Sequence, residues 1–164
     1  MTRINAGIPP PMLSNAHLLA EHREIKRIPN NIVKRLKAHK QVNLGPQHFT
    51  MGEGHVNFFN DKLAYLHRRY VALREECISR KFKVESYEDA FFSAKEWAPH
   101  LYNEWHPHKQ DIGTILERLR ERDAERYNTI SAYRIWKDIM ADTIQMLKAN
   151  DPDLYNHIKH IKSI

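Results

Sequence analysis

One cysteine, Cys77, in 164 residues cannot form an intrachain disulfide. That excludes a disulfide-stapled secreted scaffold and suits a reducing cytoplasm; the plain reading of the thiol is a small core residue. Glycine is scarce, at five residues. There is no Gly-rich phosphate loop and no Gly-x-Ser-x-Gly elbow, which removes P-loop nucleotide chemistry and α/β-hydrolase catalysis. No apolar run approaches the roughly 18 residues of a membrane span. Met1-Thr2-Arg3-Ile4-Asn5 lacks the apolar core of a secretory signal. A cytoplasmic protein without a membrane partner is expected.

What is present is charge, and it is unevenly placed. The chain has 26 Lys and Arg against 20 Asp and Glu, a net charge of +6. Residues 1–50 hold Arg3, Arg23, Lys26, Arg27, Lys34, Arg35, Lys37 and Lys40 against only Glu21 and Glu24, so they carry all of that excess. A basic end on an otherwise balanced chain points to a polyanion, nucleic acid first, with a merely solvated face as the alternative.

Few glycines and many charged residues favour helix. Three prolines in 6–11 exclude an α-helix there and predict a stiff arm. A first helix is expected from Ser14 or Asn15 to Arg27, stopped by Pro29, and a second from Asn31 to Lys40. After a loop over 41–54, the spacing of Val56, Phe59, Leu63, Leu66, Tyr70, Leu73 and Cys77 predicts one central core helix of about 25 residues. Shorter helices follow at Glu88–Lys95 and from Pro107, in its first turn, to Ala124. A further helix starts at Ser131, its stripe of Tyr133, Trp136, Ile139, Met140, Ile144 and Leu147 read as core, and a last one starts at Asp151-Pro152. The fold class is all-α: a compact single-domain bundle over 1–164, with 125–164 a divergent C-terminal extension packed on it.

The first helix places His17, Glu21, Glu24 and Arg27 along one side. Periodicity alone leaves a plain explanation open, an amphipathic helix with ion pairs three residues apart. With 11 histidines, chance His/Glu neighbours are expected. No Cys set or His-Glu-x-x-His accompanies them, so no metal is expected.

The order of residues goes further than their periodicity. Thr2-Arg3-Ile4-Asn5 followed by His17-Leu18-x-Ala20-Glu21-x-Arg23-Glu24-x-x-Arg27, and then Gly52-x-Gly54-His55-Val56-x-Phe58-Phe59-x-Asp61-Lys62-Leu63-x-x-Leu66-x-x-Arg69, resembles the pyrimidine-dimer DNA glycosylase/AP lyases of the endonuclease V type. The resemblance implies a DNA-repair enzyme without metal or organic cofactor, acting as a monomer on duplex DNA with a damaged or modified base. It implies loss of Met1, leaving the α-amine of Thr2 as nucleophile and Glu24 as the catalytic carboxylate. Glu21 is the alternative carboxylate, for which the resemblance implies a structural part. Arg3, His17, Arg23 and Arg27 are implied at the DNA, and Arg118 and Arg122 through a weaker match near Pro107-His108.

An α-amine suits the chemistry implied. Its unperturbed pKa is about 7.7–8.0, against about 10.4 for lysine, so part of it is free base at neutral pH without burial. The chain also departs from the family. Its arm is longer and proline-rich, Ala16 stands where a glutamine is found, and the C-terminal segment is replaced and extended. A non-catalytic helical DNA-binding protein, or a protein that binds an acidic partner, are the other readings of the same basic half.

Overall fold

Side-chain caps open several of the helices. In the computed structural model, which describes residues 3–161, the chain is all-helical and no strand occurs among those residues. Helix α1 (Asn15–Ile25) is opened by Ser14, whose Oγ accepts from the His17 N–H at 3.2 Å. Helix α2 (Arg27–Lys37) follows after Lys26 alone. Pro29 therefore does not separate the two helices as expected. It sits in the first turn of α2, where its missing N–H costs no helical bond.

The central stripe is divided. α3 (His55–Phe58) and α4 (Leu63–Ser79) replace the expected single helix. The Lys62 ammonium donates to the Phe58 carbonyl at 2.9 Å and to Asp61 at 2.6 Å, satisfying the end of α3 instead of continuing it. The apolar register survives the break: Phe59, Leu63, Leu66, Tyr70, Leu73 and Cys77 are all fully buried. With glycine scarce, α2 and α4 are followed by His39 (φ 54) and Lys81 (φ 64), side-chain-bearing residues in the left-handed region. That conformation costs about 1 kcal/mol each.

α5 (Glu88–Trp97) packs on α2, and α1 on α4. α6 (Lys109–Arg122) starts two residues after Pro107, with the His108 N–H donating to Asp111 at 2.8 Å. α7 (Ala124–Tyr127) turns the chain, and α8 (Ala132–Asn150) and α9 (Pro152–Ile161) close it. The α8 stripe is core only at its start. Ile135 is buried and Trp136 and Ile139 pack partly against the core, but Tyr133 and Ile144 are exposed. α8 packs against both α6 and α9.

The proline arm is part of the core rather than a tether outside it. Ile4, Ala6, Ile8 and Leu13 have no exposed surface, each worth up to about 2–3 kcal/mol for the larger side chains. Pro10–Met12 form one turn of 3-10 helix, which prolines in a first turn allow. Gly7 makes the bend possible: at φ +77, a Cβ would stand 2.9 Å from both Ile112 and Pro107.

Candidate active site

The arm is tied down by buried polar groups, and those ties build a cleft. Glu21 shares one side of α1 with His17 and Glu24, as its spacing implies, but it is the buried member of that side. Its side chain is 1% exposed, and Arg69 from α4, 6% exposed, meets it side on, through Nε and one Nη, at 2.5 and 3.0 Å. The remaining capacity of that carboxylate is taken by the arm: the Asn5 N–H donates at 3.2 Å and the Asn5 amide at 2.7 Å. Arg69 also donates to the Ile8 carbonyl at 2.9 Å. Four donors on one carboxylate leave no free position for acid–base work.

A second tie comes from His55, also fully buried. Its Nδ1 lies 2.7 Å from the Thr50 carbonyl, which fixes that nitrogen as the donor. Nε2 is then an acceptor, and the Ile4 N–H donates to it at 3.0 Å. Burial holds this imidazole below the ordinary 6.5, with Arg118 and Arg3 adding like-charge repulsion. A neutral ring is what the two bonds require.

Above these ties lies a cleft of about 310 Å³ lined by Arg3, Asn5, His17, Ala20, Glu21, Glu24, Arg118 and Arg122. It brings together α1, α6 and the start of the arm, residues more than 90 positions apart in the chain. Arg118 donates to the side-chain amide oxygen of Asn5. Burial, with Arg3 and Arg122 nearby, pushes its pKa down to about 10, so it stays charged at neutral pH. Its Nε–H is buried and finds no acceptor among the described residues, a donor left for an anion.

Of the residues singled out from sequence, Arg3, His17, Glu24, Arg118 and Arg122 converge here. Thr2, one peptide bond before Arg3, lies outside the described residues. Arg23 and Arg27 do not line the cleft. They adjoin it through Glu24, with Arg23 Nε at 3.3 Å from one carboxylate oxygen and an Arg27 nitrogen at 2.5 Å from the other. Both arginine side chains are mostly exposed, at 68% and 60%, and that of Glu24 is 15% exposed. Their cations are thus displayed outward while the carboxylate faces in. Among the described residues no three His, Cys, Asp or Glu side chains gather as a metal site. No described helix is long and apolar enough to cross a membrane.

Sequence reasoning passed over Asn5, His55, Arg69 and Tyr127, which shape the cleft without carrying its charge. His55 and Arg69 stood inside the second motif, but spacing along one helix says nothing about a partner some 50 residues away. The comparison with protein families agrees with the geometry: the model for pyrimidine dimer DNA glycosylase matches residues 1–87, which take in the arm, α1, Glu21, Glu24, His55 and Arg69. This chain belongs to the pyrimidine dimer DNA glycosylase family.

Proposed function

We propose that the protein excises a damaged base from duplex DNA and then cleaves the strand as an AP lyase, with the α-amine of Thr2 as nucleophile. Membership of the family implies DNA as substrate and glycosylase activity; the covalent route is the further step. One observation carries it. The cleft that holds Glu24 is lined by Arg3 and Asn5, so the beginning of the chain is built into the site rather than left outside it.

The amine lone pair would form a bond to C1′ as the bond from C1′ to the base breaks, the base leaving with the electron pair and taking a proton. Loss of a proton from nitrogen with opening of the ring at O4′ leaves an imine. Removal of a proton from C2′ then expels the 3′ phosphate, and water releases the sugar fragment. Glu24 is the carboxylate suited to stabilising the cationic sugar and moving these protons, because it borders the cleft and its two arginine partners are mostly exposed. Glu21 is not, with four donors from buried Arg69 and Asn5 on its two oxygens. Arg3, Arg118 and Arg122 supply donors for phosphate or sugar oxygens, while Arg23 and Arg27 face outward to the backbone of the duplex.

Glu24→Gln keeps the shape and removes the charge. It should bind lesion-containing duplex about as well as the parent and lose on the order of 10²–10³ in excision rate. Unchanged turnover would transfer the proton work elsewhere. Lost binding with unchanged turnover of bound DNA would make Glu24 a structural partner of Arg23 and Arg27.

A further inference from the structure

The hydroxyl of Tyr127 is fully buried at the end of α7, about 40 residues beyond the segment that matches the family. It has two neighbours able to share a hydrogen. The Ser14 backbone N–H donates to it at 2.9 Å, so the hydroxyl hydrogen must go to another acceptor. His17 Nδ1 is that acceptor, at 2.8 Å. Ser14 Oγ also stands 2.9 Å from Nδ1, but it already receives the His17 backbone N–H at the start of α1. The rings lie 5.6 Å apart, so tyrosine and histidine are packed as well as bonded.

We infer that Tyr127 is a positioning residue of the cleft: its hydroxyl donates to His17 Nδ1 and so fixes the neutral ring that carries its hydrogen on Nε2. This rests on reading the cleft as the glycosylase site. Nδ1 is occupied by Tyr127 and Ser14, and His17 lines the cleft, which leaves Nε2–H as the nitrogen available to an acceptor oxygen of a bound nucleotide. Were the imidazole protonated, Nδ1 would be a donor; the Tyr127 oxygen could then only accept from it, and the buried hydroxyl hydrogen would be left without an acceptor.

The charges around the ring act in the same direction. Burial is the largest influence keeping His17 neutral, followed by Arg118 and Arg122 from α6; Asp123 and Glu21 oppose them less strongly. Arg3 and Glu24 line the same cleft. The placement of α7 is itself secured from the arm: Arg126 donates to the carbonyls of Met12 and Leu13 at 3.0 and 2.8 Å. Arm, α1 and α7 therefore form one unit, and chain beyond the family match completes the site.

The test is Tyr127→Phe in the full chain, which removes one oxygen and keeps the ring. Imidazole nitrogen shifts of His17, followed by NMR through a pH titration without DNA, should change from a predominantly Nε2–H ring to a mixture of tautomers. The titration midpoint should rise. With abasic duplex, kcat should fall about tenfold while KM holds, the signature of lost positioning. Identical tautomer and midpoint in the variant would overturn the inference. If Tyr127→Phe does not fold, 3-fluorotyrosine in the unmutated chain strengthens the phenol as donor, and the His17 midpoint should fall; no movement would overturn the inference equally. Because the NMR readout needs no substrate, its failure is distinct from failure of the glycosylase reading, which would appear as an inactive parent protein.

Discussion

The two ends of the molecule are built on different principles. At the start, residues 3–25 bury polar groups and pair them: Asn5, Glu21 and the backbone of Ile4 are all inside and bonded. At the other end, α8 has 19 residues and only Ile135 is buried, while Met146 is 65% exposed and Leu154 and Ile158 on α9 are also open to solvent. Apolar packing alone would hold the arm, but it would not fix the direction of an amide or a carboxylate. The ties from Arg69 and His55 do fix directions, and the cleft stands where they are concentrated. α8 is held mainly by an apolar edge against α6, which tolerates variation, and it lies outside the family match.

The largest effect should come from cutting the buried tie. Arg69→Met leaves the Glu21 carboxylate buried without its cation, a loss of about 3–5 kcal/mol. The urea midpoint should fall accordingly, and activity should be lost even where the chain remains folded, since Glu21, on which Asn5 is anchored, is no longer held in place. An intact midpoint would mean that the arm is held by packing after all.

Acid should act on the same end. His17, His22 and His55 are all kept below the ordinary 6.5 by burial; the first two stand on α1, and His55, from α3, holds the arm through the Ile4 N–H. The unfolded chain takes up protons as pH falls through 6.5, while the folded chain resists until lower pH. Their contribution is therefore complete above that value and is lost progressively below it. Hydrogen exchange should show protection at the Ile4 amide, which donates to His55, falling before protection in α8. Simultaneous loss at both ends would deny the contrast. The smallest effect is expected from Met146→Gln, whose side chain is largely in water and should change stability by no more than about 0.5 kcal/mol.

The same contrast explains what could be read from the sequence. Helices appeared wherever a stripe and a cap coincided: Ser14 opens α1 and Ser131 opens α8. The errors in helix boundaries share a cause, local chemistry at helix ends. Pro29 reads as a stop but fits a first turn, and Lys62 bonds back to Phe58 inside an unbroken apolar register. In the site, the charged residues of α1 and α6 were visible because charge and motif mark them. Glu21 looked like one more member of a polar face, and only its meeting with Arg69, 48 positions away, places it inside. Tyr127 carried no mark at all, since a lone tyrosine in a polar stretch gives no sign of the histidine it reaches.

The most direct test of the central claim is borohydride trapping on duplex DNA with a single abasic site, followed by mass-spectrometric mapping of the cross-linked peptide. The account predicts one reduced adduct, on the α-nitrogen of Thr2 in chain that has lost Met1, and none in a homogeneous preparation that retains it. An adduct on a lysine side chain, or equal trapping with Met1 in place, would contradict the account.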